Sequence, residues 1–150
     1  YSSLMEDIRE KMEDMEATLE EPYASDTAED EMPAILLIND RNAAAYISED
    51  RELLECYKRL VSRCRSTGGC VIFADVDNVS INYNSPEVLK MLKENRQFLV
   101  FANAGDIKLA DLAPSYVRRN AKPLEKNDAF WISGTQVCRM KAVQPDFPEV

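Results

Sequence analysis

Histidine is absent from the 150 residues. That removes Ser-His-Asp and Cys-His catalysis and every histidine-bound metal. Glycine is scarce, and none of the four glycines is followed by lysine. The Gly-rich loop ending in Lys-Ser/Thr, whose backbone N–H groups wrap phosphates, is therefore missing, and the chain cannot by itself hold a triphosphate in that way. The four cysteines, Cys56, Cys64, Cys70 and Cys138, contain no CxxC pair, which excludes zinc knuckles and thioredoxin-type motifs. Reduced, mostly buried thiols in a cytosolic protein are the expectation. Apolar runs end after about six residues, far below the roughly 20 that cross a bilayer. No charged-then-apolar signal peptide opens the sequence.

What is present suits a folded domain: 45% hydrophobic and 30% charged residues, in a length typical of one domain with its own core. The charge is uneven. Overall, 27 acids against 18 bases give −9, and residues 1–32 alone carry a net of −10. The remaining body is nearly neutral and has no basic footprint for phosphate backbones, so nucleic acid is not an expected partner. The acidic run reads as a solvated helix face followed by a loop.

Hydrophobic spacing places the elements. Leu4, Ile8, Met12, Met15 and Leu19 recur at helical steps behind a capping-box pattern, Ser3 to Glu6, so residues 1–21 read as an amphipathic acidic helix. Residues 22–32 have no period and read as an acidic loop. Residues 33–40 form an apolar run that stops at Asn39-Asp40, the pattern of a strand buried on both faces of a parallel sheet. Ser48 is expected to cap a helix to about Ser66, with Leu53, Tyr57, Leu60 and Cys64 on one face and Gly68-Gly69 as its stop. A second buried strand spans Cys70–Asp75. Ser85-Pro86 opens a short helix with Val88, Leu89, Met91 and Leu92 inward. A third buried strand covers Phe98–Ala102. One short helix near Pro114–Arg119 follows, then two strands flanking Gly134-Thr135 as a hairpin, and an exit linker at 144–150. Alternating helices and apolar strands predict an α/β fold with a mostly parallel sheet between helix layers and a C-terminal β-hairpin.

In such sheets, ligands gather beyond the carboxyl ends of the strands. Asn39-Asp40, Asp75 and Asn103 stand at those ends. Four apolar residues followed by an acid have the form of a Walker B element, where a carboxylate serves Mg²⁺ and a second acid orients water. Here Asn39 takes the metal-side position, a poor magnesium ligand, and only Asp40 is charged. Asp75, Asp77 and Asn78 lack the Asp-x-Asp-x-Asp-Gly pattern of a calcium loop and read as a turn in which acids bond the backbone. No metal site is assigned. Arg118-Arg119 reads either as an arginine finger at a subunit boundary or as a surface pair. Phe130 and Trp131 read as core, with an exposed Trp131 serving as an interface anchor. An apolar pocket is expected near the hairpin and the helix at 86–94.

The order ILLIND (35–40), CVIFAD (70–75), ENRQFLVFAN (94–103) and KPLEKNDAFWISGTQVCRMKAV (122–143) resembles the distal half of an FtsK/SpoIIIE-type P-loop ATPase domain. Within that family the likeness is to the C-terminal modules of type VII secretion proteins, EssC-like and EccC-like. The resemblance implies a RecA-like three-layer sandwich, forming one partial ATPase-like domain over 1–150. It also implies a cytoplasmic location in a membrane-anchored bacterial protein that assembles as a hexamer with neighbouring ATPase domains. ATP and Mg²⁺ are the implied cofactors, not bound by this chain alone. WXG-type secretion substrates and other secretion subunits are the implied partners. Asn39 and Asp40 fall on the Walker B positions, with Asp40 as the catalytic acid. Asp75 falls on the following sensor-like strand end, and Arg118 or Arg119 on an arginine near a neighbouring site. Asn39 departs from the family's aspartate, and the strand–P-loop–helix unit lies outside this sequence. Two family readings follow: a degenerate or partial module acting in substrate recognition and regulation, or a competent ATPase separated from its phosphate loop. A flavodoxin-like or receiver-like signalling domain is the unrelated alternative.

Overall fold

Met12 is fully buried, and Ile8 and Met15 nearly so, on α1 (Ser2–Glu20), which is otherwise rich in charged residues. A stripe this narrow forms a helix that must dock on something apolar. The computed structural model describes residues 2–20 and 34–141. The side chain of Ser3, the acidic loop at 22–32 and the linker at 144–150 lie outside the described residues. The chain divides into two units, Tyr1–Asp77 with Pro86–Val88 and Asn78–Ser85 with Leu89–Val150.

In the first unit, β1 (Ile35–Asn39) and β2 (Cys70–Ala74) pair in parallel, from Ile35 beside Cys70 to Asn39 beside Ala74. Between them come α2 (Ala43–Glu49) and α3 (Arg51–Thr67). α1 packs on α3 and β1, and α3 packs on β2. Leu53 and Leu60 on α3 are fully buried, and Tyr57 meets Phe73 of β2 edge to face at 5.8 Å. Gly68 ends α3 in the left-handed region (φ 81°), where its N–H donates to the Cys64 carbonyl at 3.0 Å. A side chain there would be strained.

Three expectations for this unit are corrected. The cap of α3 is Asp50, whose carboxylate accepts from the Leu53 N–H at 2.9 Å. Ser48 lies inside α2, where its hydroxyl donates to the Ala44 carbonyl and accepts from the Val88 N–H. Second, α2 exists as a separate helix; Ala43, Ala44 and Ile47 give a buried face too short for periodicity to register. Third, the strands are buried on one face. Leu36, Ile38, Val71 and Phe73 turn toward the helices, whereas Ile35, Leu37 and Ile72 on the other face are 61%, 60% and 44% exposed.

α4 (Glu87–Asn95) begins in the first unit and runs into the second, with Val88 and Leu89 buried and Met91 and Leu92 half-buried. Then come β3 (Gln97–Val100), a 3₁₀ turn at Ala104–Asp106, α5 (Pro114–Arg119), β4 (Asp128–Ser133) and β5 (Gln136–Lys141). The hairpin is as expected, with Gly134 at φ 55° in the two-residue turn. The third apolar segment is not. β3 pairs antiparallel with β4 in the order β3–β4–β5 and shares no sheet with β1 and β2. Its apolar side chains explain the choice: Phe98 faces Ile132 and Val100 faces Phe130 across the ladder, pairs that stabilise an antiparallel neighbour. Phe130 and Ile132 are fully buried at the centre of this unit's core with Ala104, Ile107 and Leu112. The fold is thus mixed α/β, with a two-stranded parallel pair and a three-stranded antiparallel sheet, and the three apolar segments do not form the single parallel sheet of a RecA-like sandwich.

Candidate functional site

The carboxyl ends of β1 and β2 carry the first expected group. Asn39 is exposed at the last paired position, opposite Ala74, so Asp40 and Asp75 follow at matching points beyond the ladder. Asp40 turns back on its own chain: one carboxylate oxygen accepts from the Asn42 N–H at 2.8 Å, an Asx turn that leads into α2. Asp75 takes a positive φ of 56°, which aspartate tolerates better than most residues. Arg41, unassigned in the sequence, forms an ion pair with Asp77. That hydrogen bond and the Asp77 charge, with a smaller contribution from Asp75, hold the Arg41 guanidinium above its ordinary value. Arg41, Asp75 and Asp77 therefore form one exposed charged cluster in which the arginine answers an acid.

The chemistry of this donor set is limited. Asn39 is neutral, Asp40 is half engaged by a backbone N–H, and Asp77 faces a guanidinium. Among the described residues no group of three or more carboxylates or thiols could hold a metal ion. A phosphate loop follows a strand and opens a helix, whereas Gly68-Gly69 stands in the reverse order, between α3 and β2. These residues do not fit Mg²⁺ and a nucleotide triphosphate on their own.

Arg118 and Arg119 are exposed in the last turn of α5, where cations favour the helix carboxyl end. Arg119 Nε donates to the Ser115 carbonyl at 3.3 Å. They belong to the second unit, whereas Asn39, Asp40 and Asp75 belong to the first. Asn103 and Asn78 serve loop structure. Asn103 accepts from the Leu124 N–H, and Asn78 accepts from the Lys108 and Leu109 N–H groups while donating to the Asp106 carbonyl.

By the hairpin, the β3–β4–β5 sheet presents an apolar face. Leu99, Trp131 and Cys138 are aligned across the three strands. With Phe101 and Met140 they stand on the side opposite Phe130 and Ile132. Leu99, Phe101, Trp131 and Met140 are 49%, 64%, 43% and 42% exposed. The other positions on this side, Gln97, Ala129, Ser133 and Gln136, are also uncharged. Phe130 is core as expected, and Trp131 takes the alternative role of an exposed aromatic. Strand alternation through Phe130-Trp131-Ile132 was the signal that separated them.

A concavity of about 330 Å³ lies between α1 and α3, lined by Glu13, Glu16, Ala17, Arg59 and Arg63. Glu16, only 12% exposed, accepts from Arg59 at 3.1 and 3.3 Å and pairs with Arg63 at 3.3 Å. Arg9 reaches Asp50 and Glu52. The acidic helix is thus docked within its own unit by ion pairs around its apolar stripe. The thiols at Cys56 and Cys64 are free and pushed up by burial, which suits inert core positions rather than nucleophiles. Among the described residues, no helix is long and apolar enough to cross a membrane. The chain matches no family model, no curated protein and no solved structure.

Proposed function

We propose that the chain is the distal part of a degenerate FtsK/SpoIIIE-type ATPase module in a type VII secretion motor, acting in substrate recognition and regulation of export. In this reading it works beside neighbouring ATPase domains in a hexamer, on the cytoplasmic side of the membrane, and its ligands are WXG-type substrates. The observation that carries it is the uncharged face of β3–β4–β5, where Leu99, Phe101, Trp131 and Met140 stand open in a chain that is 30% charged. Trp, Phe and Met are residue types enriched at protein interfaces. The incomplete Walker B group, Asn39 with Asp40, agrees with binding rather than independent turnover.

An NMR titration with a WXG-type substrate peptide tests the reading. Shifts centred on Leu99, Trp131 and Met140, weakened at least tenfold by Trp131→Ser, are expected. Unmoved resonances on that face reject it. The competent-ATPase alternative retains one supporting feature, the second carboxylate oxygen of Asp40 at a strand end. Calorimetric titration of this chain with Mg·ATP separates the two: no saturable heat is expected, and tight Mg²⁺-dependent binding rejects the degenerate reading.

A further inference from the structure

We propose that the open face of the β1–β2 pair is a docking surface for an amphipathic helix of a partner protein, one with an aliphatic stripe flanked by lysine and arginine. The two faces of this pair are chemically alike but differently treated. On the side that faces the helices of the same unit Ile38 is only 6% exposed, Leu36, Val71 and Phe73 are half-buried, and Tyr57 packs on Phe73. Ile35, Leu37 and Ile72 are equally aliphatic, stand together in register on the other side, and remain 61%, 60% and 44% exposed. Parallel strands are found with helices over both faces, because their side chains are apolar on both. The covered face shows what kind of element fits the open one.

Charge selects the occupant. The three open side chains alone fall below the apolar area of a stable interface, about 800 Å² per partner, so charged flanks must complete the contact whichever partner docks. Two copies would repel. Tyr1–Asp77 with Pro86–Val88 hold 20 Asp and Glu against 8 Lys and Arg, a net of −12. The strand ends beside the patch repeat the bias, since Asp40 and Asp75 flank it and Arg41 is already paired with Asp77. A basic amphipathic helix meets both demands, and an acidic one meets only the first. This surface lies in the other unit from the face proposed for secretion substrates and stands independently of that function.

The test uses the full chain and two synthetic helical peptides of identical leucine spacing, one Leu/Lys and one Leu/Glu. With the Leu/Lys helix, methyl resonances of Ile35, Leu37 and Ile72 are expected to shift with saturation. The Leu/Glu helix should bind at least tenfold more weakly. Leu37→Ser, at an exposed position that leaves folding intact, should weaken the Leu/Lys complex at least tenfold. Asp75→Asn should weaken it severalfold at low salt and little at high salt. Shifts confined to the acidic residues of α1, equal binding of both peptides, or an affinity indifferent to Leu37→Ser and to Ile35→Ser each overturn the proposal. So does sedimentation showing that the patch is closed by a second copy.

Discussion

The two units solve the same problem with opposite means. The first, with a net charge of −12, is mostly helix, and its distant segments are joined by ion pairs: Arg9 to Asp50 and Glu52, Arg59 and Arg63 to Glu16. The second, with 10 bases against 7 acids, is sheet and long loops. Its loops are joined by neutral amides, Asn78 and Asn103, that mimic backbone partners. Helices satisfy their own backbone, so their side chains are free to bind one another. Loops leave N–H and C=O groups over, and asparagine, donor and acceptor at once, meets that demand. Where the first unit has acids in excess, the second has an uncharged apolar face.

The largest expected effects come from the two cores. Phe130→Ala in the second unit should cost about 3–5 kcal/mol and Leu60→Ala in the first about 2–5 kcal/mol, because both sites are fully buried. Each unit has its own reporter. Trp131, the only tryptophan, follows the sheet by fluorescence, and far-UV circular dichroism follows the helices. Phe130→Ala with an unshifted Trp131 transition would show that the sheet's stability lies elsewhere than the Phe130 and Ile132 cluster.

Much of this division could be read in advance, and the part that could not has a physical reason. Ile8, Met12 and Met15 fell on one helical face and are buried; the runs at 35–39 and 70–74 are strands; Gly134-Thr135 turns a hairpin. These signals are local. The partner of Phe98–Val100 is not local: three similar apolar runs carry no statement about which pairs with which, and β4 won through cross-strand packing. The open faces were hidden for the same reason, since Ile35 and Ile38 look alike until a helix covers one side only. Among the strand-end candidates, Asn39, Asp40 and Asp75 lie at the carboxyl end of the β1–β2 pair, whereas Asn103 follows β3 of the other sheet. Arg41 escaped notice because its role is set by Asp77, 36 positions away.

A second contrast is pH. Tyr57 in the first unit is pushed up to about 12 by burial, from an ordinary value near 10. The unfolded chain ionises first as pH rises, so this contribution is intact below about pH 10 and lost between about 10 and 12, some 2–3 kcal/mol in all. Thermal melts of Tyr57→Phe should lack that alkaline loss. Asp128 in the second unit behaves in the opposite sense. Its hydrogen bond from Arg139, with help from the Glu125 N–H, holds its carboxyl below the usual range. Its contribution is intact above about pH 4 and declines as pH falls below that. Asp128→Asn should flatten the acid limb, and an unchanged limb would count against the pair.

Glu16→Ala tests the ion pairs that dock α1. It leaves Arg59 and Arg63 without their shared acceptor and should cost about 1–2 kcal/mol, read as faster amide exchange along α1. The matching change in the second unit, Asn78→Ala, should speed exchange at the Lys108 and Leu109 amides and leave α1 protected.

The smallest effect is at helix caps, and it runs in opposite directions in the two units. α3 has a side-chain cap in Asp50, whereas α5 starts at Ala113-Pro114 without one. Proline at the first helical position presets φ but supplies no acceptor for the N–H groups behind it. Ala113 already has extended backbone angles, φ −58° and ψ 136°, the conformation a capping serine adopts. Ala113→Ser should therefore add about 0.5–1 kcal/mol, while Asp50→Ala should remove about 1 kcal/mol. Asp50 also pairs with Arg9, so Asp50→Asn is the discriminating variant: it keeps the cap and loses the charge. If Asp50→Asn melts like Asp50→Ala, the ion pair rather than the cap sustains the start of α3, and charge outweighs local backbone bonding in the first unit even at a helix end.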